Sequence, residues 1–215
     1  MNRPADVSGW TLAQLSDRLR SESEVLPVEA VLELAQAVAR QLDELHEAGR
    51  VHGRLRPEGV LIDRGGGVHL MRSASSDGDA REVARKPPEE LAGAEGGPAT
   101  DTYGLALLVV EALAGGNPLL RSSAEETRSR VLRGLQGIQP PGLDLAASMW
   151  LETCLLADPA QRPQCRLEPI WSEIRFSLGP PRTSLAGLLQ STFRGEAPPQ
   201  VQAAPEEAAG YSPMS

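Results

Sequence analysis

The sequence predicts a mainly α-helical domain carrying one small β-hairpin. Three observations lead there. Apolar residues recur at helical spacing in several separate segments. The stretch 103–114 is apolar nearly all round, as in a helix buried at the centre of a domain. Two short β-prone runs flank Gly65-Gly66-Gly67 within 60–71, the pattern of a hairpin.

In chain order, 11–20 reads as a short helix with Leu12, Leu15 and Leu19 on one stripe and Thr11 as its cap. A longer helix is predicted over 27–48. Pro27 suits its first turn, Val31, Leu34, Ala35, Val38, Leu42 and Leu45 form its apolar face, and Gly49 stops it. After the hairpin, 73–98 is polar, rich in Gly and Pro and without periodicity, and so reads as a loop. Asp101 opens the central helix, 103–114. Further helices are predicted over 124–134, 143–157 and 167–178. Beyond Gly179 the chain turns to Pro, Ala, Gln and Glu, a composition that reads as a disordered tail. This divides 215 residues into a leader (1–9), one domain (10–178) and a tail (179–215).

Composition narrows the function classes. Hydrophobic residues make up 40%, enough to fill a core, while a net charge of −8 argues against a nucleic-acid or anionic-membrane binder. The two cysteines, Cys154 and Cys165, form no CxxC pair, so neither a disulfide scaffold nor a cysteine metal site is expected. The first residues lack a signal-like apolar stretch, and the apolar run 105–114, interrupted by Glu111, is far shorter than the roughly 20 residues of a membrane span. A soluble, cytoplasmic chain is expected. Lys86 is its sole lysine, among 21 Lys and Arg residues in all. With Ala, Gly and Pro abundant, this reflects a GC-rich genome more than a physical need for guanidinium. Lys86 reads as a solvated loop lysine.

Val51-His52-Gly53-Arg54-Leu55-Arg56-Pro57-Glu58-Gly59-Val60-Leu61-Ile62-Asp63 resembles the catalytic loop of Hanks-type (eukaryotic-like) Ser/Thr protein kinases, H-R-D-L-x-x-x-N. Further landmarks follow in the family's order. Leu70-Met71-Arg72 falls at the place of D-F-G, Pro87-Pro88-Glu89 at A-P-E, and Asp101-Thr102-Tyr103-Gly104 at the start of the central helix. Cys154-Leu155-Leu156-Ala157-Asp158-Pro159-Ala160-Gln161-Arg162-Pro163 is similar to the closing C-L-x-x-D-P-x-x-R-P. The resemblance spans 10–178 and implies a kinase C-lobe. With about ten residues before the first helix, the N-lobe is expected to be absent.

The departures carry the functional expectation. Where the family places its proton-accepting aspartate and its two metal ligands, this chain has Arg54, Gly59 and Arg72. A guanidinium neither accepts a proton at neutral pH nor ligates a metal. The resemblance thus implies a pseudokinase that is not an enzyme, with no catalytic residue, cofactor or metal, acting as an interaction, scaffold or regulatory module in signalling. The alternative is an unorthodox nucleotide-binding or kinase-like protein completed in trans by a partner supplying the N-lobe. His52, Glu89, Asp101 and Arg162 match architectural positions: Glu89 and Arg162 the family's ion pair, Asp101 a hydrogen-bond anchor for the catalytic loop.

Two surfaces are candidates for binding. Arg54, Arg56 and Arg72 converge on one face if the resemblance holds, and either form an anion or partner surface or are neutralised locally by Asp63, Glu58 or Asp79. Leu185, Leu188, Leu189 and Phe193 form one stripe of a short helix over 184–193. That stripe either docks a partner or folds back, with Trp10, over the apolar face a missing N-lobe would leave. The expected partner is a protein: a Ser/Thr kinase, another signalling protein or a second copy.

Overall fold

The computed structural model describes residues 7–71, 79–201 and 212–213. Nine helices and six short strands are found among them. Strand β1 (Val7–Thr11) leads into α1 (Leu12–Ser21), and Thr11 caps that helix reciprocally with Gln14. The long helix α2 (Val28–Glu47) follows, with Pro27 at its N-cap. Strand β2 (Arg50–Val51) enters the loop that ends in a 3₁₀ turn at Pro57–Gly59, and β3 (Val60–Asp63) and β4 (Val68–Leu70) make the hairpin.

Sheet order is β4-β3-β1-β5, where β5 (Gln200–Val201) comes from the far end of the chain. All pairs are antiparallel, with Trp10 opposite Ile62 and Ile62 opposite Val68. Gly9 permits the close approach of β1 to β3. A Cβ there would stand 2.5 Å from the Ile62 carbonyl oxygen. A separate two-stranded pairing joins β2 to β6 (Ser212–Pro213).

The stretch expected to be a loop over 73–98 is different in its described part. It contains two one-turn helices, α3 (Ala80–Val83) and α4 (Pro88–Leu91). Neither is long enough to show a period, and each is started by its own cap, Asp79 or Pro87-Pro88, which the polar composition concealed. Helix α5 (Pro98–Ala114) begins three residues before Asp101, at a proline suited to a first turn, and ends at left-handed Gly115 (φ 71°). It is the central buried helix and packs against α2 and α7 (Leu145–Cys154). Helices α6 (Ala124–Arg133) and α8 (Glu168–Ser177) complete the helical layer.

Beyond residue 179 the described chain is ordered onto the same core. Helix α9 (Leu185–Thr192), capped by Ser184, buries Leu185, Leu188 and Leu189, and Phe193 follows them inside. The Phe193 ring stacks on Trp10 with centroids 4.5 Å apart, and the Arg18 guanidinium also lies over the Phe193 ring while pairing with Glu196 at 2.8 Å. Of the two alternatives for the stripe, docking a partner or folding back with Trp10, the described residues have it folded back on its own domain. Its apolar residues find their burial there, beside Trp10.

Helix α2 also orders distant segments. Buried Asp43 accepts the N–H groups of Leu167 (2.8 Å) and Glu168 (2.9 Å), capping α8 across more than 120 residues, and Glu33 accepts from Leu185 at the start of α9. Both carboxylates thus satisfy helix N–H groups that would otherwise lack partners.

Candidate functional site

The loop between β2 and β3 is held by one carboxylate. Asp101, 1% exposed in the first turn of α5, accepts the backbone N–H of Gly53 at 2.7 Å on Oδ1 and that of His52 at 2.8 Å on Oδ2. Its position also suits the positive end of the helix. His46, from the last turn of α2, meets the same Oδ2 through Nε2 at 2.8 Å. Sequence reasoning identified Asp101 and overlooked His46, whose role is set by the α2–α5 packing alone. Buried His52 accepts the Arg54 N–H on Nδ1 at 3.3 Å, so imidazole and carboxylate together fix the backbone through Arg54.

Of the three arginines, two are described, and Arg54 and Arg56 border one niche in different states. Arg54 is exposed at the loop tip. Arg56 is buried and pairs with Glu82 of α3, which is 2% exposed. Arg72 lies outside the described residues. None of the three carboxylates proposed to neutralise the arginines pairs with Arg56. Asp79 caps α3, Glu58 is exposed, and Asp63 accepts from Gly65, Gly67 and His69 in the hairpin turn. Burial works to raise the Asp63 carboxyl, but those bonds outweigh it and hold the group below its ordinary value. Glu82 was missed because it lies in the segment read as unstructured.

Glu89 and Arg162 form a closed buried pair. Two guanidinium nitrogens reach the two carboxylate oxygens at 2.6 and 2.7 Å, and the Arg162 side chain is fully buried. The remaining donors go to the carbonyls of Leu156 (2.8 Å), Ala99 (3.0 Å) and Ala157 (3.3 Å), and the guanidinium lies over the Tyr103 ring. Burial pushes the Tyr103 phenol well above its usual range. Thr100 adds a hydroxyl donor to Glu89 at 3.1 Å. This pair ties α4 to the turn after α7 and to the start of α5.

A cleft of about 630 Å³ opens between α1, the 3₁₀ turn, α3 and the second half of α5. Leu12, Ala84, Leu108 and Leu120 make its apolar lining. On its walls Arg85 binds Glu111 through two 3.0 Å bonds, and Arg20 donates to the Gly115 carbonyl. Burial raises the Glu111 carboxyl, against the pull of Arg85.

The family's magnesium sites do not fit the described residues. Gly59 offers no side chain, its N–H donates to the Arg56 carbonyl, and its carbonyl accepts from Met71. Of the carboxylates nearest in sequence, Glu58 is exposed and Asp63 is turned to the hairpin. Among the described residues, no group of three His, Cys, Asp or Glu side chains is arranged to hold a metal ion. Nor, among them, is any helix long and apolar enough to cross a membrane.

Comparison with known proteins places this geometry. Residues 9–167 match the family model for protein tyrosine and serine/threonine kinases. A protein of Corynebacterium efficiens named "Serine/threonine-protein kinases drp72" is 27% identical over 162 residues, covering 69% of this chain and 30% of its own length. PknI of Mycobacterium tuberculosis, a serine/threonine-protein kinase, is 34% identical over 98 residues, 46% of this chain and 17% of PknI. Human myotonin-protein kinase is 26% identical over 139 residues, 56% of this chain and 22% of its own. The chain thus spans less than a third of the length of each of these relatives. These matches correct the expectation that the chain is not an enzyme. A kinase-domain match and relatives named as kinases point to an enzyme, and the chain matches a part of each of those relatives. That expectation weighed three positions, Arg54, Gly59 and Arg72, and an N-lobe expected to be absent, above the domain as a whole. On the match over 9–167, the chain belongs to the protein tyrosine and serine/threonine kinase family.

Proposed function

We propose that this kinase-family chain works in signalling as a protein-binding, regulatory module. The observation that carries the reading is Arg54. Its backbone is fixed through His52 and Asp101, while its side chain projects, exposed, from the position where the family's loop has an aspartate. A rigidly mounted guanidinium is suited to hold a carboxylate or phosphate on a partner. Arg56, Glu82 and Arg85 border both the niche that Arg54 lines and the partly apolar cleft. The partner class in keeping with the family is another signalling protein, a Ser/Thr kinase included.

The test is capture from native lysate with the wild-type chain and with Arg54→Glu, read by mass spectrometry and followed by binding of the purified partner. A partner that binds wild type and is lost on charge reversal supports the reading. A stable monomer that retains no partner, or a partner indifferent to position 54, overturns it.

A second reading has one observation in its favour: the relatives are named kinases, and the chain matches only a portion of each. In this reading the chain takes part in phosphoryl transfer within an assembly whose upper lobe is supplied in trans. Stabilisation by Mg-ATP of the partner complex, beyond that of the partner alone, selects it.

A further inference from the structure

Two cations border one narrow niche beside the loop tip. Arg54 is exposed and Lys86 half-buried, and among the described residues neither side chain makes a hydrogen bond or salt bridge. The other cations at the niche are already engaged, Arg56 by Glu82 and Arg85 by both oxygens of Glu111. One carboxylate remains, that of half-buried Glu90. Burial and the neighbouring Glu89 raise the Glu90 carboxyl, while Arg54 and Lys86 act in the opposite direction, so both cations lie close enough to be felt there. The niche thus sets two cations against one carboxylate, in a chain whose net charge is −8.

We propose that Arg54 and Lys86 form a binding site for a phosphate-monoester oxyanion, the group through which a partner or small ligand would be recognised. The proposal rests on the partner-binding reading above and names its chemistry. A guanidinium fork and an ammonium together offer donors to several oxygens of one anion. A phosphate carries about −1.5 to −2 near neutral pH and matches two cations better than a single carboxylate does. Glu90 works against the anion and limits its affinity. The sole lysine is then a ligand-binding group, where the sequence alone made it a solvated one.

Because Lys86 is the sole lysine, reductive methylation with ¹³C-formaldehyde places one lysine NMR signal in the protein, beside that of the terminal amine. That signal is followed, at constant ionic strength, during titration with inorganic phosphate, a phosphoserine peptide and its unphosphorylated twin. The expected result is a saturable shift with the phosphorylated probes and none with the twin. Arg54→Ala should weaken binding about tenfold or more, and Glu90→Gln should tighten it. Equal affinity for phosphate and phosphopeptide identifies a free-phosphate site, and tighter peptide binding identifies a modified side chain. Thermal stabilisation of the unmodified protein by the same probes checks that methylation has not altered the site. Absence of a saturable shift, or a shift unchanged by Arg54→Ala, overturns the proposal. A partner captured through Arg54 but blind to phosphate would sink this inference and leave the partner-binding reading standing.

Discussion

Replacing Glu89 by alanine strands a guanidinium in the interior. Arg162 has no exposed side-chain surface, and two of its nitrogens point at the carboxylate that would be lost. The carbonyls of Leu156, Ala99 and Ala157 would remain as acceptors, but carbonyls carry no compensating charge. Breaking a buried pair from one side costs about 3–5 kcal/mol. At about 2–4 °C per kcal/mol for a chain of this size, the melting temperature should fall by about 6–20 °C. The assay is urea and thermal unfolding followed by far-UV circular dichroism, with Arg162→Met and the double variant closing a cycle. The coupling energy should reach about 2–3 kcal/mol, since both charges leave the interior together in the double variant. A loss below about 1 kcal/mol in Glu89→Ala, the size of a surface pair, would refute the claim that this pair clamps α4 to the rest of the domain.

Three further outcomes are expected. Phe193→Ala should cost about 3–5 kcal/mol and alter tryptophan fluorescence through Trp10, whereas Phe193→Leu, which keeps the burial and loses the stack, should cost about 1 kcal/mol more than burial alone predicts; equal stability of wild type and both variants in denaturant would contradict the packing of α9 on the core. The Glu90 carboxyl is raised by burial, so its ionisation opposes folding: the stability it contributes is present below the ordinary value of 4.5 and is lost as pH rises through the raised one. Glu90→Gln should therefore gain on wild type as pH rises across that window, and unfolding curves at several pH values that run parallel would contradict it. Burial pushes the Cys154 thiol up to about 12, while Cys165 is exposed. Titration with a disulfide reagent at pH 8 should count one reactive thiol in the native protein and two after denaturation.

What could be read from the sequence follows from how local the determining interactions are. Thr11 and Pro27 signal helix starts within a few residues, and the glycine run signals a hairpin. The structure has α1, α2 and the β3–β4 hairpin there. Asp101 was legible because a short motif marks it. His46, Glu82 and Asp43 were not, since each acts on groups 26 to 125 residues away and looks locally like any polar helix residue. Lys86 read as a solvated lysine because its surroundings, α3 and α4, are helices of one turn. The fate of Arg56 depended on Glu82 and could not be foreseen without it. The stripe at 185–193 was visible as a stripe, but its partner, the surface made by α1, α2 and Trp10, exists only in the folded molecule.

The long-range caps set by α2 have a consequence for the order of folding. Helix α9 has eight residues, fewer than the roughly 12–15 an isolated helix needs to persist in water. Its first N–H group waits on Glu33, about 150 residues earlier, as those at the start of α8 wait on Asp43. Loop closure over such separations is slow and unrewarded until the ends meet. On the ribosome, α2 and α5 can associate while α9 is still unmade, and the apolar surface that α9 will cover stays open through that interval. Helix α9, made well after α2 and α5, thus covers that surface, and a chain cut short before it leaves an apolar face exposed.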